Sequence, residues 1–270
     1  MMDRAQVYHS FRRCIRMNNL GAASIRKKEY KTAMAMLSKG ISEARQIMSA
    51  WKACDTKAAL HESGPGTDLP IDIHLSFPAS GGEEECEGSV AFVDPIHLSR
   101  FPMEAVSAAL KTATRREEIQ VLHPLVANLT MAIVFNLALA YHLTGDSSRA
   151  IRLYQHALML AKGGRMMNSC CFMDTSTNHH HHHSRRTEDS SIPLLVVASL
   201  TNLATLFETT GDISSSNKCV DRVVSIFMVM ASLSSSSASS SNSPSNLGKE
   251  DAVLRATSRI MLRGSAAAAA

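Results

Sequence analysis

Five consecutive histidines, His179 to His183, are the densest metal-affine chemistry in the sequence. Structural zinc needs four ligands held in a tetrahedron, usually drawn from separated Cys and His pairs. Cys170 and Cys171 lie nearby but are adjacent, so no paired spacing completes such a site. Flanked by Ser, Thr, Asn and Arg, the run reads as low complexity whose metal chemistry is adventitious binding of Ni²⁺, Zn²⁺ or Cu²⁺. No phosphate loop, dinucleotide fingerprint or nucleophile elbow occurs. The expectation is therefore no catalytic residue, no metal, no cofactor and no enzyme. The six cysteines, Cys14, Cys54, Cys86, Cys170, Cys171 and Cys219, show no framework spacing and read as inert thiols in a reducing compartment.

A quieter chemistry recurs three times. Asn136 opens the run Asn-Leu-Ala-Leu-Ala-Tyr-His-Leu-Thr-Gly-Asp over 136–146. Asn202 opens Asn-Leu-Ala-Thr-Leu-Phe-Glu-Thr-Thr-Gly-Asp over 202–212, identical at six positions. A weaker copy starts at Asn19-Leu20-Gly21 and continues to Lys27-Lys28-Glu29-Tyr30. A side-chain amide can donate to a peptide carbonyl and accept from a peptide N–H, giving register without charge. Asn19, Asn136 and Asn202 either meet a bound peptide in this way or bond neighbouring helices and fix their packing.

The elements that would position them are pairs of antiparallel helices. Leu137, Ala138 and Tyr141 form a stripe on a first helix, and Gly145 stops it by taking a left-handed closing conformation. Asp146 or Ser147 can cap a second helix carrying Ala150, Ile151, Tyr154, Ala157, Leu158 and Leu160 on one side. Alanines at 138, 150 and 157 allow the two backbones to approach closely.

These residues resemble the tetratricopeptide repeat, a helix pair of 34 residues. The match covers about 131–164, with Leu137, Ala138, Tyr141, Gly145, Ala150, Tyr154 and Ala157 on signature positions. A copy at about 14–47 keeps Leu20, Gly21, Tyr30, Ala33, Leu37 and Gly40 but has Ser24 for an aromatic and Lys28 for the turn glycine. A third, at about 197–230, keeps Leu203, Ala204, Phe207, Gly211, Val220 and Val223 but puts Ser216 where a small alanine belongs. The resemblance implies that the first helices line a concave groove for an extended or helical peptide. It disfavours a carboxylate clamp, since Asn18 and Ala22 stand where Lys and Asn would. The separation of the copies resembles that of algal tetratricopeptide-like proteins with long inserts.

The chain therefore divides into 1–57, an amino-terminal helix pair; 58–102, an acidic insert; 103–164, a helical region with the second unit; 165–191, a histidine-containing loop expected to be disordered; 192–231, the third unit; 232–248, a serine-rich linker; and 249–270, a helix or strand with an alanine tail. In the acidic insert Leu69, Ile71, Ile73, Leu75 and Phe77 alternate with polar residues, the period of a half-buried strand. Val90, Phe92, Ile96 and Leu98 suggest a second strand, with a glycine-rich loop over 79–89 completing a β-hairpin. Residues 103–118 read as an Ala-rich helix; Lys249 to Leu262 read as a helix or, over Arg259 to Leu262, as a strand joining the hairpin.

Charge is polarised. Residues 1–57 hold 12 Lys and Arg against four acids, a balance of +8, while 58–99 hold eight acids and no Lys or Arg. The blocks are either two solvated surfaces or an acidic loop, Glu83 to Glu87, lying beside the groove as an internal pseudo-ligand. A net charge of +4 does not indicate nucleic acid. Met1 to Arg13 lacks the apolar stretch of a secretory signal, which points to an intracellular, cytoplasmic chain. Val121 to Gly145 carries no charged residue, yet Asn128, Asn136 and His142 argue against a membrane span.

The expectation is a mainly α protein, a short solenoid of about three helix pairs with an inserted β-hairpin, serving as a scaffold for a protein or peptide partner. Self-association through an uncapped end is part of it. The alternatives are a metal-binding or enzymatic module built on the hairpin and its histidines around His74, His97 and Cys86, and a membrane-associated adaptor.

Overall fold

A computed structural model describes residues 3–55, 74–76, 92–100, 103–112, 115–163 and 191–236. Seven helices occur among the described residues: α1 (Arg4–Arg26), α2 (Tyr30–Asp55), α3 (Met103–Thr112), α4 (Arg115–Leu143), α5 (Ser147–Gly163), α6 (Ser191–Thr209) and α7 (Ile213–Ser236). Two short strands, β1 (His74–Ser76) and β2 (His97–Arg100), pair antiparallel with Leu75 opposite Leu98 and an irregularity between His74 and Leu75. The protein is mainly α and tetratricopeptide-like in build.

Local chemistry sets the helix ends. Asp3 begins α1 with a reciprocal capping box, its carboxylate accepting from the Gln6 N–H at 2.7 Å and its own N–H donating to Gln6 Oε1 at 3.0 Å. The three tight turns share one bonding pattern. Glu29 N donates to Ser24 O, Asp146 N to Tyr141 O and Asp212 N to Phe207 O, at 2.8–3.0 Å. This closure needs a left-handed residue, and Gly145 and Gly211 supply it at φ 81° and 82°. In the first unit Lys28 takes that conformation at φ 62°, despite its side chain. Asp146 and Asp212 then cap α5 and α7 by accepting from the N–H groups of Arg149 and Ser215, each at 3.1 Å.

The pairs α1–α2, α4–α5 and α6–α7 stack side by side although inserts separate them in sequence, because α2 packs on α4 and α5 on α6. A Cβ on Gly21 would lie 2.5 Å from Leu37 Cγ, so α1 and α2 touch through a position that admits no side chain. Ala138 and Ala204, at the equivalent places, are buried, as are Ala33, Ala150 and Ala157 on the second helices. Tyr141 and Phe207 pack half-buried against this core. Leu137 and Leu203 are buried, but Leu20, expected to pack likewise, is 43% exposed beside an open hollow.

One helix among the described residues, Leu122–Leu143, is long and apolar enough to cross a membrane, and 83% of that stretch is buried inside the structure. Packing by α2, α3 and α5 on α4 accounts for its composition. Two expected boundaries shift. The helix expected over 103–118 is α3 followed by a separate α4 from Arg115, and α7 continues to Ser236, into the serine-rich stretch expected as linker from 232. Of the expected second strand, Phe92 to Ile96 is not strand but irregular chain with a bend at Asp94. The loop over 79–89, residues 69–73, the histidine run and the segment 249–270 lie outside the described residues.

Candidate functional site

The three asparagines meet one stretch of the chain itself. Asn202 on α6 accepts from the Phe92 N–H at 2.8 Å and donates to Phe92 O at 3.1 Å. Asn136 on α4 accepts from the Ile96 N–H at 2.7 Å and donates to Ile96 O at 2.8 Å. Asn19 on α1 accepts from the Leu98 N–H and donates to Leu98 O, both at 2.9 Å. Each amide thus matches both polar groups of one backbone residue, and residues 92–98 cross α6, α4 and α1 in that order. Strand geometry explains how Leu98 also sits opposite β1. Amides of successive residues in an extended chain point to opposite edges, so the Leu98 pair faces α1 while its neighbours face β1.

Supporting groups lock the amides. Ile96 O takes a second donor, Asn18 Nδ2, at 3.1 Å, and Asn18 Oδ1 accepts from Asn136 Nδ2 at 2.9 Å. Asn18, Asn136 and Asn202 are fully buried, and the bonds of Asn18 and Asn136 to Ile96 and to each other are made away from competing water. Asn202 Nδ2 also donates to Tyr154 Oη at 2.9 Å. Tyr154 comes from α5, and its ring makes edge contacts with Phe135 (5.6 Å between centroids) and His142 (6.1 Å). Burial pushes the Tyr154 hydroxyl far up its titration range and outweighs the Asn202 bond, so it stays protonated. All three asparagines therefore pair with the chain's own extended backbone, and Asn136 and Asn202 also bond across helix pairs.

Apolar anchoring accompanies the backbone grip. Ile96 and Leu98 are 2% and 3% exposed within the core, Pro95 is buried, and Phe92 is half-buried against the same cluster. Asp94 is half-buried, and that burial pushes its carboxyl up while Arg26 pulls it back. His97 is driven the other way, its imidazole pKa lowered by burial and then by the same Arg26. Beyond Leu98 the groove opens into a hollow of about 500 Å³ lined by Arg12, Arg16, Asn19, Leu20, His97 and Met103.

Sequence reasoning missed Asn18, which it weighed only as a clamp position occupied by the wrong residue. The signal was its place beside Asn19, one residue earlier on a helix already known to present an amide. It also missed residues 92–98 as the occupant; Glu83 to Glu87, the occupant in one of the two readings of the acidic block, lie outside the described residues. Among the described residues no group of three or more His, Cys, Asp or Glu is arranged to hold a metal. Cys86 lies outside them. Cys14 is buried with its thiol donating to Gly40 O at 3.5 Å, and burial, reinforced by Glu43, pushes it up to about 12. Burial takes Cys219 to about 11. Thiols held so high are protonated and poor nucleophiles.

Residues 132–163, the α4–α5 pair, match the family model of the tetratricopeptide repeat. No curated protein and no solved structure matches the chain.

Proposed function

For a chain that carries a tetratricopeptide-like repeat stacked between two helix pairs of the same build, we propose a protein-interaction module that reads an extended peptide by its backbone. The observation that supports this is the threefold pairing of one asparagine amide with both backbone polar groups of one residue, at Phe92, Ile96 and Leu98. Every residue except proline offers that N–H and C=O pair. Such a grip is indifferent to side-chain identity, so specificity falls to the apolar seats that Phe92, Ile96 and Leu98 occupy and to charge at the rim. The chemistry is recognition of a protein segment, with asparagine supplying register and burial supplying affinity.

Selection of displayed random peptides on the wild-type chain and on Asn136→Leu, under conditions where the variant keeps its helical circular dichroism, tests it. Peptides retained by the first and lost by the second support the groove as the binding site. Recovery of the same peptides by both places recognition elsewhere.

A further inference from the structure

The groove is occupied by the chain's own residues 92–98, and what they are made of identifies what would replace them. Building on the reading above, we infer that this segment is a resident ligand in cis, and that the partner is an extended peptide with apolar residues at its first, fifth and seventh positions, an acid at the third, and further acids after the seventh.

Three observations carry the inference. First, the helix pairs stack through direct α2–α4 and α5–α6 contacts, so the architecture does not need the segment as a link. The segment lies in the insert between α2 and α3, outside the repeated unit. Second, Phe92 and Ile96 lie outside the paired strands, and the bonds made by their N–H and C=O groups go to asparagine side chains. A second peptide backbone can make those bonds equally well. Third, the pattern is explicit: Phe92, Ile96 and Leu98 fill apolar seats, Asp94 lies within the field of Arg26, and the hollow past Leu98 presents Arg12 and Arg16. The resident continues after Leu98 with Ser99 and Arg100, so a guest that continues with acids offers a charge match to Arg12 and Arg16 that the resident's sequence does not.

A tethered segment competes at high effective concentration, which lowers the apparent affinity of any guest by the fraction of time the groove is closed. The test is fluorescence polarisation with a labelled peptide of residues 90–100. Its targets are the wild-type chain, the double variant Ile96→Ser with Leu98→Ser, and that variant carrying Asn136→Leu as well. The double variant loses the apolar anchors of the resident, so it should bind the peptide at least about tenfold more tightly than wild type. Adding Asn136→Leu should abolish the gain. A peptide extended by two glutamates should bind more tightly still, in a salt-sensitive way, and lose that advantage when Arg12 and Arg16 are changed to Glu.

Equal binding by wild type and double variant overturns the resident-ligand inference while leaving the groove a peptide site. No binding to a double variant that keeps its helical circular dichroism overturns the groove reading itself. If the double variant does not fold, hydrogen exchange on the wild type decides. Amides of Phe92, Ile96 and Leu98 exchanging at least about a hundredfold faster than that of Leu139 support a displaceable segment. Exchange together with Leu139 makes the segment a permanent strand and ends the inference.

Discussion

The α1–α2 pair turns at Lys28 with φ 62°, whereas α4–α5 turns at Gly145 with φ 81°. At the close contact between helices the first pair has Gly21 and the second Ala138, and the leucine before that position is 43% exposed in the first pair but buried in the second. Yet both present an asparagine that grips one backbone residue through the same two bonds. Turn chemistry and outward packing can drift between units as long as the backbone-binding amide stays at one height. Leu20 of the first unit borders an open hollow that Met103 of α3 also lines.

The largest expected difference between the units lies in the amides themselves. Asn136→Leu strands the N–H of buried Ile96 and the Oδ1 of buried Asn18 and leaves Ile96 O with one donor of two, and should cost about 2–4 kcal/mol in urea unfolding. Asn19→Leu acts on a half-buried site and should cost about 1–2 kcal/mol. Equal losses would mean that the two grips are equivalent and burial is irrelevant.

The helix contact comes next. Gly21→Ala drives a methyl into the side chain of fully buried Leu37, which must repack, for a loss of about 1–3 kcal/mol by thermal unfolding. A neutral outcome would show that α1 and α2 can separate, which the corresponding α4–α5 contact, already built around Ala138, would not require. Smallest is the turn. Lys28→Gly relieves a left-handed lysine and should stabilise by about 0.5–1 kcal/mol, read as a raised urea midpoint. No gain would mean that the Lys28 side chain offsets its own backbone strain.

Much of this was legible beforehand. The turn positions at 28, 145 and 211, the small residues at 21, 138 and 204, and the equivalence of Asn19, Asn136 and Asn202 all follow from a repeated local pattern, since turns and close contacts are set by the residues that make them. The path of 92–98 was not. Alternation of Phe92, Ile96 and Leu98 reads as an extended chain, but periodicity reports which side chains are buried, not whether the backbone edge meets another strand or a row of helix amides. Burial of Leu137 and exposure of Leu20 were equally hidden, because a local motif does not report what packs over it.

Each asparagine stands the same distance from its turn, nine positions before residues 28, 145 and 211. At about 1.5 Å per residue that is roughly 13 Å of helix. The span works as a ruler: one residue added or removed within it would swing that amide by about 100° around its axis and out of line with the other two. Lengthening any excursion between the pairs leaves the ruler untouched. That asymmetry sets where this architecture tolerates growth, and why its inserts follow the second helix of a pair and never interrupt the first.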